Sequence, residues 1–186
     1  MDDKQILLLG GGRSKLTKEL KGYGITPKEI VNGDPFVENV EEDADRVIPV
    51  SASDKDFVEK MREQGVESVD QILAEYSVPA YLEDPGEIQQ LIQNIDALLS
   101  EGGDARIWPI QVGGRGESQE LQERKSALLQ SLEKLQASGK YNLVLYKSAG
   151  RAGCILHKLT PPREELQRKE DQGKIEDIRT KLGINS

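Results

Sequence analysis

The run Ile6-Leu7-Leu8-Leu9, followed directly by Gly10-Gly11-Gly12, constrains this chain more than any other stretch. Successive side chains of a strand point to opposite faces, so four apolar residues in a row require cover on both sides. Such a strand belongs inside a parallel sheet. Glycines at its carboxyl end allow a tight turn and let a ligand approach the backbone closely. In the next residues, Arg13-Ser14-Lys15-Leu16-Thr17-Lys18-Glu19-Leu20, two leucines stand four apart and Ser14 can cap, which predicts a helix. Strand, glycine turn and helix form the unit by which a doubly wound sheet holds a nucleotide at its carboxyl edge. A nucleotide-like ligand is therefore expected.

The remaining elements alternate in the same way. Glu29 to Gly33 reads as a second strand and Val47-Ile48-Pro49-Val50 as a third, placed at an edge because Pro49 cannot donate to a ladder. A helix is predicted over 54–64 from the spacing of Phe57, Val58 and Met61, and a fourth strand over 69–74. Asp84-Pro85 opens a long helix whose apolar stripe is Ile88, Leu91, Ile92, Ile95, Leu98 and Leu99. Gly102-Gly103 is expected to end it, with a fifth strand over 105–110 and a further helix over 118–136. Segments 141–146 and 153–157 are two last strands, and the short connection between them forces an antiparallel hairpin. Residues 160–186 are dense in charge and read as a helix or tail with a solvated face.

Composition removes several function classes. A formal net charge of −8 argues against broad binding to a phosphate backbone, which needs a basic surface. With one cysteine, Cys154, and one histidine, His157, neither an internal disulfide nor a cysteine- or histidine-rich metal site is expected. No apolar stretch approaches the roughly 20 residues of a membrane span. The acidic start, Met1-Asp2-Asp3-Lys4, runs straight into the first strand and leaves no room for a signal peptide. A soluble, cytoplasmic protein is the expectation. Within the last strand Cys154 reads as core and His157 as a packed or edge histidine; Trp108 reads as structural, with a substrate-side aromatic as its alternative, and the Gly113-Gly114-Arg115-Gly116 loop as mobile, with anion binding through Arg115 as its alternative.

Crossover strands followed by a terminal antiparallel hairpin resemble the class I S-adenosylmethionine-dependent methyltransferases, whose seven-stranded sheet has its last strand inserted antiparallel. Leu8-Leu9-Gly10-Gly11-Gly12-Arg13-Ser14 is similar to that family's glycine-rich first motif: Gly10 and Gly12 match the first two glycines, and Ser14 stands where the third is expected. Leu98-Leu99-Ser100-Glu101-Gly102-Gly103 is similar to its "L-x-P-G-G" turn. The resemblance spans roughly residues 5 to 159. It implies a three-layer α/β domain over 1–159, with 160–186 as an appended charged segment.

The resemblance also implies a site. Gly10, Gly11, Gly12 and Ser14 would form the cofactor turn. Asp34, closing the second strand, would accept hydrogen bonds from both ribose hydroxyls. Ser53 and Asp54 lie where the adenine is contacted, Asp54 at the position that meets its amino group; Asp54 as a helix N-cap is the rival reading. Glu75 and Tyr76, after the fourth strand, would serve as base or cofactor contact and as substrate-orienting group, with strand-end packing as their alternative. The implied cofactor is S-adenosylmethionine and the implied partner a small-molecule or protein methyl acceptor. Leu8 occupies the position where the family carries an acidic residue, and the segment after the fourth strand lacks the family's Asn/Asp-Pro-Pro-Tyr motif. Those departures keep open a catalytically inactive binding protein on the same fold. A glycine turn followed by an acidic residue also fits an NAD(P)-dependent oxidoreductase.

Overall fold

The computed structural model describes residues 3–10, 18, 20, 22, 26–36, 44–75, 81–108, 110, 119–148 and 151–161, with the backbone alone at Glu75 and Ser148. Its elements run β1 (Gln5–Leu9), β2 (Glu29–Gly33), β3 (Arg46–Ile48), α1 (Phe57–Glu63), β4 (Val69–Glu75), α2 (Pro85–Leu98), β5 (Leu99–Trp108), α3 (Gln119–Ala137), β6 (Tyr141–Ser148) and β7 (Arg151–Lys158). Lys18, Leu20 and Gly22 have helical backbone between β1 and β2. The seven strands make one sheet in the order β3-β2-β1-β4-β5-β7-β6. Pairing is parallel from β3 through β5, while β7 runs antiparallel to both of its neighbours. This is the α/β doubly wound sheet with a carboxyl-terminal antiparallel hairpin that the sequence predicts.

The two faces of the sheet are unequal. Leu7, Leu9, Val31, Ile72, Ala105, Ile107, Cys154 and Leu156 point to one side and merge with α1, α2 and α3 into the main core. Phe57 and Met61 of α1 are fully buried there, each worth roughly 1.5–3 kcal/mol over exposure. On the other side Ile6, Leu8 and Ile30 pack with Leu20 in a smaller cluster. The alternation of the apolar run in β1 thus divides it between two cores.

Local chemistry sets the element ends. Asp84 caps α2 through its side chain, which accepts from the Gly86 amide at 2.5 Å, and Glu87 reaches back to the Asp84 amide at 3.3 Å. That reciprocal box, with Pro85 in the first turn, is why Asp84-Pro85 opens the helix. The fifth strand differs from expectation: it starts at Leu99, directly after α2, rather than at Ala105. Gly102, at φ +77°, absorbs a register shift in which β4 moves from pairing Leu99 to pairing Asp104. Gly103 lies so close to β4 that a Cβ would meet the Asp70 carbonyl oxygen at 2.8 Å. The two glycines therefore work inside the strand as an irregularity and do not precede it. Likewise α1 starts at Phe57 rather than at residue 54, and β3 ends before Pro49, in keeping with the edge position expected for it. No helix among the described residues is long and apolar enough to cross a membrane.

Gly103→Ala is expected to destabilise the fold by roughly 1–3 kcal/mol, since backbone atoms on two sides cannot yield; urea unfolding measures this. A second expectation concerns Cys154, which is fully buried and whose thiol is pushed up to about 12 by that burial. A folded-state value above the ordinary 9.0 means this contribution to stability is complete below pH 9 and declines as pH rises towards 12. Labelling of the thiol at pH 8 should be orders of magnitude slower in native protein than in urea.

Candidate functional site

The carboxyl ends of the first three strands finish level with one another. Leu9, Gly33 and Ile48 are register partners across β1, β2 and β3. The alignment continues past the strands: the Gly10 amide donates to the Gly33 carbonyl at 2.8 Å, and the Asp34 amide to the Ile48 carbonyl at 3.2 Å. Gly10 turns away at φ +61°, a left-handed conformation that a side chain would strain. Gly33 is glycine for a different reason. A Cβ there would lie 2.8 Å from Met61 Cε and 3.5 Å from Phe57 Cε2, so its absence lets α1 dock against the end of β2.

Above this edge lies a cavity of about 660 Å³, within the range of small-molecule sites. One wall is Gly10, Asp34, Pro35 and Phe36, the second is Ser51, Ala52 and Asp54, and the third is Tyr81, Leu82 and Glu87. Asp34 is only 6% exposed. Its Oδ1 accepts from the Phe36 amide at 2.8 Å, an Asx turn that fixes the carboxylate and carries the exposed Phe36 ring to the cavity mouth. Tyr81, also exposed, lines the cavity as well.

Two side chains from the helical layer hold the walls without lining the cavity. Asn94 is buried in the apolar stripe of α2, and its Nδ2 donates to the carbonyls of Ala52 at 2.8 Å and Asp54 at 2.9 Å. Its Oδ1 in turn accepts from Gln90 at 3.0 Å. Arg124 of α3 donates to the Leu82 carbonyl at 3.3 Å. Lys60 lies 3.0 Å from Asp56 and 3.7 Å from Asp54. Its pKa is raised, chiefly by the hydrogen bond to Asp56, so a positive charge sits beside the Asp54 wall.

Of the residues predicted to form the site, Gly10, Asp34 and Asp54 line this single cavity. Asp56 holds the N-cap position of α1, and no side-chain hydrogen bond caps that helix. Ser53 lies beside the cavity, its Oγ 3.1 Å from that of Ser51, and Ser51 takes the wall position. Glu75 ends β4 at the same sheet edge, as the register partner of Trp108. Gly11, Gly12, Ser14 and Tyr76 lie outside the described residues. The sequence reading missed Phe36, Tyr81, Leu82, Glu87 and Asn94. An aromatic two residues after a strand-ending Asp was the available signal for Phe36, and a lone polar residue in an apolar stripe the signal for Asn94. No cluster of acidic, His or Cys side chains suited to a metal occurs among the described residues.

No protein-family model and no curated protein matches this sequence. Solved structures do match in fold. An O-methyltransferase family protein from Burkholderia thailandensis gives a TM-score of 0.55 at 10% identity, over 86% of this chain and 52% of that one. CalO1, a methyltransferase in calicheamicin biosynthesis, in its SAH-bound form, gives 0.53 at 13% identity, over 84% and 49%. A SAM-dependent methyltransferase from Methanosarcina mazei gives 0.51 at 15% identity, over 87% and 95%. The chain therefore spans about half the length of the first two and nearly all of the third. It has the Rossmann-like fold of the class I methyltransferases.

Replacing Asn94 with Leu keeps the volume but leaves the Ala52 and Asp54 carbonyls without this donor. A loss of about 1–3 kcal/mol is expected in chemical unfolding. Amide exchange across residues 51–54 should rise with it, while exchange in β6 and β7 stays unchanged.

Proposed function

We propose that the chain binds S-adenosylmethionine in the cavity at the ends of β1, β2 and β3 and transfers its methyl group to an acceptor. The observation that carries this reading is Asp34: a buried carboxylate, held in orientation at the end of β2, one strand away from the glycine turn. An ionised carboxylate has two oxygens with about four acceptor sites, a chemistry suited to the two hydroxyls of a ribose. Phe36 offers an apolar face to a purine, and Ser51, Ala52 and Asp54 offer backbone and carboxylate groups to its polar edge. The close approach at Gly10 leaves room for the rest of the ligand.

Sheet topology favours this ligand over a nicotinamide dinucleotide. A dinucleotide fold carries a second parallel mononucleotide half beyond the switch point. Here that half ends in the antiparallel β7, inserted between β5 and β6.

When bound, the sulfonium cofactor supplies an already activated methyl group. The chain's own residues then have to orient the ligand, align the acceptor and take up a proton where the acceptor is a hydroxyl or amine. Asp34 and the Ser51–Asp54 wall are assigned to binding. Glu75, at the end of β4, and Tyr76, next in the sequence, are assigned to the acceptor side.

Leu8 favours a second reading. It is 6% exposed and packed with Ile6, Leu20 and Ile30. The position at which the resembling family carries an acid is therefore built here as core. A protein that keeps the adenosyl site without transferring a methyl group follows from that substitution.

Calorimetric titration separates these readings. S-adenosylhomocysteine should bind in the micromolar range, NADH should not, and Asp34→Ala should weaken the former roughly ten- to hundredfold. Binding of NADH alone, or of neither ligand, contradicts the proposal. Binding without methyl transfer to any of a panel of amine, hydroxyl and protein acceptors selects the second reading.

A further inference from the structure

The two edges of the sheet are built differently. β3 is three residues long and stops before Pro49, so it offers little to a further strand. β6 runs eight residues, pairs with β7 without a register shift from Tyr141 to Ser148, and contains neither a proline nor a bulge. Among the described residues no strand pairs with its outer side. The Leu159 amide donates to the Lys140 carbonyl at 2.7 Å, one step beyond the Tyr141 and Lys158 partners. Bonded residues alternate along an antiparallel ladder. Asn142, Val144 and Tyr146 therefore direct their amides and carbonyls to β7, and Tyr141, Leu143, Leu145 and Lys147 direct theirs outwards. This edge is apolar on both faces of the sheet. Leu145 is the partner of Cys154 and so lies on the main-core face, yet it is 64% exposed; Val144, on the other face, is 53% exposed. Leu129 of α3 is exposed as well. It stands about 200° round the helix from Ala127, which shares a groove with Pro85 and Gln89 of α2. Leu129 thus lies on the side of α3 turned away from α2, towards the β6 edge.

We propose that β6 is the contact between two copies of this chain, joined antiparallel and edge to edge about a two-fold axis at Val144, so that one sheet runs through both. In this register Val144 meets its own counterpart, Leu143 meets Leu145, Asn142 meets Tyr146 and Tyr141 meets Lys147. Apolar side chains oppose apolar ones at the centre, and Lys147, the charged residue of β6, meets a ring instead of its own copy. An axis at Leu145 would set Lys147 against Leu143, and one at Leu143 would leave Tyr146 and Lys147 beyond the paired strands. With the axis at Val144 the four outward-facing residues of each strand meet in bonded pairs. These give about eight hydrogen bonds, close to the roughly ten of a specific interface. The helical layer agrees with the same axis. Measured from the turn that joins α3 to β6, Leu129 is about 12 Å along the helix from Ala137, and Val144 is about 10 Å along the strand from Tyr141. The two are level, so the axis turns the Leu129 sides of the two α3 helices towards each other. Lys125 and Glu133, exposed about one turn to either side, are then set against each other's counterparts with opposite charge. Such pairing closes at two copies, because it uses β6 in each and leaves the short β3 edges outermost. The cavities at β1 to β3 lie at opposite ends of the joined sheet, and this inference is independent of the ligand assigned to them.

Sedimentation equilibrium of the full chain tests it. The mass should reach twice the 20.6 kDa of one chain at roughly micromolar to submillimolar concentration; the mass of one chain throughout overturns the proposal. Val144→Lys and Val144→Glu, each at an exposed position, place like charges on the axis and should each weaken association at least about tenfold. An equimolar mixture of the two should recover the dimer, because opposite charges then meet. Association that neither variant weakens, or that the mixture does not recover, overturns the proposal. The register has its own readout. Unbonded partners on an antiparallel pair lie about 4.5 Å apart, within the reach of a disulfide. Mild oxidation should therefore link two copies of Val144→Cys, and not of Asn142→Cys, whose partner across the axis is Tyr146. The native Cys154 is fully buried and stays out of the reaction. Equal linking in the two variants, or none in Val144→Cys, overturns the proposal as well.

Discussion

The level ending of β1, β2 and β3 is the constraint on which the site depends. In a parallel sheet neighbouring strands lie about 4.8 Å apart, so strands in register deliver their next residues to one line. Leu9, Gly33 and Ile48 set that line, and the Gly10–Gly33 and Asp34–Ile48 hydrogen bonds carry it one residue further. A glycine turn, a carboxylate and the start of a polar loop are then neighbours although they come from three separate parts of the chain. A slip of one residue in β2 would turn Asp34 to the other face.

What holds the line in place is the helical layer behind it. α1 can approach the end of β2 because Gly33 has no side chain to meet Met61 and Phe57. Asn94 then ties the loop after β3 to α2 with two hydrogen bonds, and Arg124 ties Leu82 to α3. All three contacts come from the heavily packed face. Among the described residues the opposite face has the smaller Leu20 cluster, behind β1 and β2. The contacts that hold the site thus come from the side of the sheet that α1, α2 and α3 cover.

Much of this was legible in the sequence because the signals are local. The run from Ile6 to Leu9, the Asp84-Pro85 start of α2, the apolar stripe behind it and the tight β6–β7 connection each declare themselves within a few residues. Asp34 was legible as well, from its place at the end of a strand. Features decided by distant partners were not. The early start of β5 depends on a register shift against β4, so Gly102-Gly103 read as a helix stop. Asn94 matters because of two carbonyls some forty positions away, and in sequence it is a single interruption of an apolar pattern. Phe36 reaches the cavity through an Asx turn whose acceptor had been given a different role. The division of Leu7 and Leu8 between two unequal cores follows from alternation, but their inequality depends on which crossovers carry helices.

The central claim is that the line Gly10, Asp34, Ser51 to Asp54 is an adenosyl site. The most direct test is amide chemical-shift mapping of the isotopically labelled protein titrated with S-adenosylhomocysteine. The account predicts shifts concentrated at Gly10, Asp34, Phe36, Ala52 and Asp54, with the amides of Asn142, Val144 and His157 unmoved. Shifts centred on β6 and β7, or none at millimolar ligand, would contradict it.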